Sequence, residues 1–337
     1  MTACNNYEGG ERYYIFQKPR GYKASKSMPE KSCSEWICKI SHAAAEGRIR
    51  QDLADKVVQS LERMPDLPNG RTASVSFSGG KDSIAIFILA RMRYSKDQII
   101  SLFCDTGDEW PETYQTVDEF QDWVGVPVER LTSMGIHTLL REIIPVWPKK
   151  GVRHCTKNLK MVPQRDWFDS NGYGQVRYRG KVSFRTGETY QVLHEDPLTF
   201  AGERWYESSN RAKLPFDSRD ETMLRWTHRP VLDWRIEDIW DFIFFMRSPY
   251  NPIYEMGVNR AACAGCIFAN TEELYMLGEY HPHLLEEWVT TEAAIGVPYP
   301  GRKETFEVIY EKLRIEKRLG CRQFFEWDGD NLKEVPA

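Results

Sequence analysis

The chain lacks the run of roughly 20 apolar residues that a membrane-crossing helix requires, and its opening stretch, MTACNNYEGGERYYIF, holds no apolar leader core. Both absences lead to the expectation of a cytoplasmic protein with no membrane partner. A strong charge of either sign is also missing. With a net charge of −4 and a pI near 6.1, a broadly basic, nucleic-acid-coating surface is excluded, though a local basic patch is not. No internal repeat or low-complexity tract occurs in the 337 residues. Two common nucleotide signatures are absent as well: there is no G-x-x-x-x-G-K-[ST] loop and no G-x-G-x-x-G after a strand. What is there is a composition 41% hydrophobic and 13% aromatic, which supplies a sizeable core and argues against global disorder. Eight cysteines (4, 33, 38, 104, 155, 263, 266 and 321) in a cytosolic chain of this length are not a disulfide framework. They point first to metal or sulfur chemistry.

Residues 1–30 are polar and show no period. From 33 to 64, Ala43, Ala44, Ala45, Leu53, Val57, Val58 and Leu61 recur at helical steps, until Pro65, Pro68, Asn69 and Gly70 break the chain. Residues 1–70 are therefore read as a partly helical N-terminal extension. Next come a strand at Ala73–Phe77, a helix read as amphipathic with an apolar pattern through Ile84, Ile86, Phe87, Ile88, Leu89 and Met92, and a strand at Ile99–Cys104. A helix from about Pro111 to Trp123 and a strand at Pro127–Leu131 follow. This alternation predicts an α/β fold with a doubly wound, mostly parallel sheet over 71–270, whose ligands bind beyond the carboxyl ends of the strands. Gly172, Gly174, Gly180 and Gly187 punctuate Val176–Phe184 and Thr189–Leu193, which reads as a β-hairpin inserted at 171–200. A helix over 233–246 is expected, with Asp233 as its cap and Ile236, Ile239, Trp240, Ile243 and Phe244 on its apolar face. Residues 271–337 read as a C-terminal helical extension.

The chemistry concentrates at strand ends. In Ser78-Gly79-Gly80-Lys81-Asp82-Ser83 two glycines allow a tight turn whose N–H groups can face an anion. The next helix adds its positive end, Lys81 adds charge, and Ser78 and Ser83 add hydroxyls. Asp105, at the end of the second strand, suits Mg²⁺ or an attacking group. Arg204 and Arg211 are planar forks for phosphate or sulfate, with Glu207 to orient them; the bland alternative is a surface ion pair. Trp205, Trp226, Trp234 and Trp240 read as core. Lys149, Lys150, Arg153, Lys157 and Lys160, followed by Arg177, Arg179, Lys181 and Arg185, form either a solvated face or an anion site. Cys263-Ala264-Gly265-Cys266 suits zinc, an iron–sulfur cluster or a redox pair.

Taken in order, these segments resemble a known family. Ser78–Ser83 looks like the PP-loop of the adenine nucleotide α-hydrolase-like superfamily of ATP pyrophosphatases. Asp105-Thr106-Gly107 with Pro111-Glu112-Thr113-Tyr114 resembles the DTG…PETY stretch of its phosphoadenylyl-sulfate (PAPS) reductase branch. So do Gly202-Glu203-Arg204 through Glu207-Ser208 to Arg211, Arg229–Trp234 with Asp238-Ile239-Trp240, and Asn251-Pro252-Ile253-Tyr254 with Gly257. The resemblance spans 73 to about 270. It implies nucleotide contacts from Ser78 to Ser83 and at Asp105, Gly202, Arg204 and Glu207, with Lys81, Asp105, Arg204 and Arg211 catalytic. It further implies ATP, Mg²⁺ and a [4Fe–4S] cluster on Cys155, Cys263 and Cys266, with Zn²⁺ as the alternative.

Three departures shape the functional expectation. His154-Cys155 stands where iron–sulfur reductases of the family have two cysteines, so His154, another cysteine or a transferable sulfide would complete the site. Cys321 lacks the glutamate and histidine that flank the nucleophilic cysteine of thioredoxin-dependent reductases. The stretch between Lys160 and Gly202 is long and basic, suiting a larger anionic substrate or an oligomer contact. The resemblance thus implies an ATP pyrophosphatase that activates a substrate for sulfur transfer, as in DNA phosphorothioation systems of the Dnd and Ssp types. Its partners would be a cysteine desulfurase or other sulfur donor, a nucleic-acid acceptor and a second copy of the chain. The alternatives are a sulfonucleotide reductase releasing sulfite and a nucleotide-sensing regulator.

Overall fold

The computed structural model describes residues 14–67, 72–149, 151–173, 181–182, 189–190, 197–220, 222–223, 225–299, 302–319, 324–327 and 332–335. Cys4, Lys150, Arg177, Arg179, Arg185, Cys321 and most of the inserted segment lie outside them.

The expected single helical stretch at 33–64 is two helices, α1 (Cys33–Ala45) and α2 (Gln51–Arg63). Gly47, at φ +70°, takes the left-handed turn between them, which a Cβ would disfavour. Ser32 caps α1 with a reciprocal Glu35 bond. The alternation then unfolds as β1 (Ala73–Ser76), α3 (Lys81–Arg93), β2 (Ile99–Asp105), α4 (Pro111–Val124) and β3 (Val128–Thr132). Two short helical turns follow, α5 (Ile136–Thr138) and α6 (His154–Thr156); α6 runs on through a π-helical Lys157–Met161 into α7 (Val162–Ser170). β4 (Lys181–Val182) and β5 (Thr189–Tyr190) pair antiparallel, as a hairpin requires. Then come β6 (Leu198–Phe200), β7 (Asp217–Asp220), β8 (Arg225–His228) and α8 (Ile236–Met246). The tail carries α9 (Thr271–Tyr280), α10 (Pro282–Ile295), α11 (Phe306–Arg318) and an antiparallel pair, β9 (Phe324–Trp327) with β10 (Leu332–Val335).

Six strands form one sheet in the order β3-β2-β1-β6-β8-β7, parallel except for β7. The chain moves outward from β1 through β2 to β3, then returns to add β6 on the other side. The β1/β6 junction is therefore the switch point at which such sheets bind ligands. Helices cover both faces. On β2, Ile99 and Phe103 enter the main core, while Ile100, Leu102 and Cys104 enter a second core with Phe168 of α7. That split follows from the two-residue period of a strand.

Three expectations need correction. The helix after the glycine loop is not amphipathic: α3 is buried from Ser83 to Met92, as befits a central helix apolar on all sides. Asp233 does not cap α8; Arg235 stands at the cap and its N–H donates to Asp238 (2.8 Å). Asp233 instead pairs with Arg63 (3.0 Å), and Asp238 also binds Arg50 (2.6 Å) and Lys56, tying α2 to α8. Of the four tryptophans read as core, Trp234 and Trp240 are buried, Trp205 is half-buried, and Trp226 is 47% exposed on a strand near the sheet edge.

Candidate functional site

The turn between β1 and α3 is shaped from within. Gly79 has φ +67°, and a Cβ on it would stand 3.1 Å from Thr113 Cγ2. Ser83 Oγ accepts the Ser78 N–H (3.2 Å), lies 3.1 Å from Ser78 Oγ and donates to the Gly80 carbonyl (2.8 Å). The two serines thus hold the loop closed, while the N-terminus of α3 carries no side-chain cap. Its orphan N–H groups are the donors an anion would meet. One of them, Lys81 N–H, donates to the Tyr254 hydroxyl (3.0 Å).

Beside the loop, the segment after β6 closes in. Gly202 allows the close approach: a Cβ there would press to 3.0 Å from the Asp82 carbonyl carbon and oxygen. Asp82 accepts from Arg204 Nε (2.7 Å) and from Lys81 Nζ (3.1 Å). Burial opposes ionisation of Asp82, but Arg204 and then Lys81 overcome it and hold its pKa well below the usual range. Burial likewise disfavours the Lys81 ammonium, yet Asp82 more than compensates and its pKa is raised. Glu207 accepts the Arg204 N–H (2.8 Å) and pairs with Arg211, whose other neighbour is Glu203 at 3.8 Å.

These groups enclose a cavity of about 180 Å³, lined by Ser78 and Gly80–Ser83, by Gly202, Glu203, Glu207 and Arg211, and by Tyr254, Arg260 and Ala261. The structure therefore gathers most of the expected nucleotide residues. Arg204 does not line the cavity; it is 1% exposed, and its guanidinium faces Asp82 and the Trp234 carbonyl. It positions the loop from below. Asp105 also lies outside the lining, one strand away at the end of β2. Its Oδ1 accepts from Gly107 N–H and the Tyr114 hydroxyl, both at 2.8 Å, and among the described residues Oδ2 has no partner. A carboxylate presented this way fits Mg²⁺, which binds one or two carboxylates together with substrate phosphates.

A second cluster sits beyond β2. Asp108 accepts from Gly265 N–H (3.1 Å) and Trp288 Nε1 (2.9 Å), and its carbonyl accepts from Ala264 N–H (2.6 Å). Gly265 is obligatory here, since a Cβ would collide with the Trp288 indole at 1.9 Å. Thr106 Oγ1 lies 2.7 Å from Glu109 and 3.3 Å from Cys263 Sγ. Burial pushes the Cys263 and Cys266 thiols up, with Lys160 drawing both down. In return Cys263 keeps the Lys160 ammonium raised against the cost of burial, helped by Glu109, Cys266 and Cys104. Lys160 thus leaves the basic patch, whose described members Lys149, Arg153 and Lys157 are exposed.

The expected metal set does not assemble. A cluster or zinc needs Cys155, Cys263 and Cys266 aimed at one point, and among the described residues no three His, Cys, Asp or Glu side chains are placed to hold a metal ion. Cys155 is close enough to raise the Cys266 pKa, but His154 turns its Nε2 to the Val146 carbonyl (2.9 Å). As placed, these residues do not fit the group, and no step is derived through it. Sequence reasoning passed over Arg260 and the Asp108–Trp288 anchor, and it met Tyr254 only as part of a motif, because the hydroxyl's partners lie in other segments. No helix among the described residues is long and apolar enough to cross a membrane.

The strand order and the glycine loop at its switch point are those of an α/β protein with the adenine nucleotide α-hydrolase-like fold. Residues 72–271 match the phosphoadenosine phosphosulfate reductase domain, and the chain belongs to that family. It is 28% identical to an uncharacterized protein of Methanocaldococcus jannaschii over 64% of its own length, and spans only 40% of that relative. It is 26% identical to an uncharacterized 37.8 kDa protein of Escherichia phage 186, over 73% of this chain and 82% of that one. A phosphoadenosine 5′-phosphosulfate reductase of Aliivibrio fischeri is 23% identical, over 60% of this chain and 69% of the other.

Proposed function

We propose that the chain is an ATP pyrophosphatase, releasing AMP and pyrophosphate as it activates an acceptor for sulfur transfer. The observation that carries this reading is the glycine loop at the β1/β6 switch, with uncapped helix N–H groups, Lys81 and Arg211 around one cavity and Asp105 one strand away. The loop and Lys81 bind the β- and γ-phosphates, and Arg211 steadies the polyphosphate from the opposite wall. Asp105 would hold Mg²⁺, which would supply charge neutralisation at the phosphates. An acceptor oxygen attacks the α-phosphorus, the bond to the bridging oxygen breaks, and pyrophosphate leaves with the electron pair. A thiol reductant frees hydrosulfide from the persulfide of a cysteine-desulfurase-type donor and becomes a disulfide; the hydrosulfide then attacks the activated acceptor atom, and AMP leaves with the electron pair of the broken bond. The exposed Lys149, Arg153 and Lys157 beside Cys155 support a nucleic-acid acceptor, DNA in the phosphorothioate reading. The cluster on Cys155, Cys263 and Cys266 stays outside the proposal for the geometric reason given.

The family match and the Aliivibrio fischeri relative favour a second reading, a sulfonucleotide reductase. Parallel assays with Mg²⁺, following products from ATP and from PAPS or adenylyl sulfate, separate the two. AMP and pyrophosphate from ATP with no sulfite supports the first, whereas sulfite from a sulfated nucleotide and an inert ATP replaces it with the second.

A further inference from the structure

We propose that Arg260, which lies outside every glycine-loop and arginine motif, is the substrate-binding residue that grips the terminal phosphates and so selects polyphosphate over monophosphate nucleotides. This rests on the reading of the cavity as a nucleotide site. Three observations place the residue. Tyr254, buried against Trp240 (ring centroids 4.8 Å), accepts N–H bonds from Lys81 (3.0 Å) and Ala261 (3.4 Å) through one hydroxyl. That hydroxyl fastens the chain around Arg260 to the first turn of α3. A Cβ on Gly80 would stand 3.1 Å from Ala261 Cβ, so the two loops are already in contact. Arg260 itself lines the cavity.

Charge pairing separates Arg260 from the other cations there. Lys81 is committed to Asp82, and Arg211 to Glu207 and Glu203. Arg260 is exposed, and among the described residues it has no hydrogen-bond or ion-pair partner. An incoming anion therefore finds one guanidinium fork uncommitted, which is the group suited to bidentate phosphate binding. The three paired carboxylates of the lining repel any anion the cations do not reach, so the unpaired charge decides how much negative charge the mouth accepts.

The test is calorimetric binding of Mg-ATP and of AMP to the full chain, wild type against Arg260→Gln and Arg260→Lys. Arg260→Gln is expected to weaken ATP about 10–100-fold, the worth of a charge-assisted hydrogen bond, with AMP changed less than about twofold and the lysine variant between. Because Arg260 is exposed, circular dichroism and Tm are expected to match wild type. Unchanged ATP affinity in Arg260→Gln, or equal weakening of ATP and AMP, overturns the proposal while leaving the nucleotide site standing. A wild-type chain that binds neither nucleotide removes both.

Discussion

The ends of β1 and β2 are adjacent, parallel and built from the same kind of strand, yet they support opposite environments. Beyond β1, charge is concentrated and balanced: Asp82 lies between the buried Lys81 and Arg204, which hold it ionised, and Asp82 in turn keeps the Lys81 pKa raised. Beyond β2, apart from the carboxylates Asp105 and Asp108, the groups are thiols and the Glu109 carboxyl, which burial drives toward their neutral forms, around one lysine. The first arrangement keeps fixed charges beside an open cavity, which is what an anionic substrate needs. The second holds partly buried thiols, their ionisation opposed by burial, on a loop anchored by Asp108 and Trp288. The lesson is that strand position sets where a site lies, while the pairing of each buried charge sets what chemistry it supports.

The largest expected effect breaks the first side of that comparison. Arg204→Ala leaves Asp82 with one partner fewer, and losing one member of a buried ion pair costs about 3–5 kcal/mol. A denaturant titration should show it; a loss within error would mean that Asp82 is solvated. Lys81→Ala is expected to lower nucleotide turnover on the order of 10²–10³-fold with the fold retained, and wild-type turnover would remove Lys81 from the site.

The fold was legible because its signals are contiguous. Ala73–Ser83 and Ile99–Pro111 each carry strand, turn and helix start within about a dozen residues, and their order alone gives the parallel sheet. The glycine loop was legible for the same reason, and so was the segment from Gly202 to Arg211. What the sequence hid depends on distant chain. That Arg204 is buried under Asp82, that Lys160 leaves a basic patch for a thiol cluster, and that Tyr254 pins Ala261 to the phosphate loop all follow from packing between separate segments. Asp233 misled because Asp, a good cap, stood near the helix, while Asp238 filled that role from inside its first turn.

A smaller effect sharpens the second side. Trp288→Phe removes the indole N–H from the buried Asp108 carboxylate, at a cost of about 1–3 kcal/mol. It should also speed alkylation of Cys263 and Cys266; unchanged stability and labelling would show that Trp288 does not anchor this loop.

The smallest effect concerns pH. Burial pushes the Cys104 thiol up to about 11, against Gln164 and Lys160. An unfolded cysteine ionises near about 8.5, so from there upward the unfolded chain releases its proton first, and the stability contribution falls until the folded thiol also ionises near 11. At pH 8 iodoacetamide is expected to label exposed Cys38 well before Cys104. Equal rates would place Cys104 in solvent.

The central claim, that the β1-side cleft holds a polyphosphate so that the α-phosphorus is attacked, is tested most directly by ATP turnover in ¹⁸O-labelled water. Where water stands in for the acceptor, the account predicts label in AMP, none in pyrophosphate, and labelled AMP from Lys81→Ala reduced on the order of 10²–10³-fold. Label in pyrophosphate or in free phosphate would contradict it.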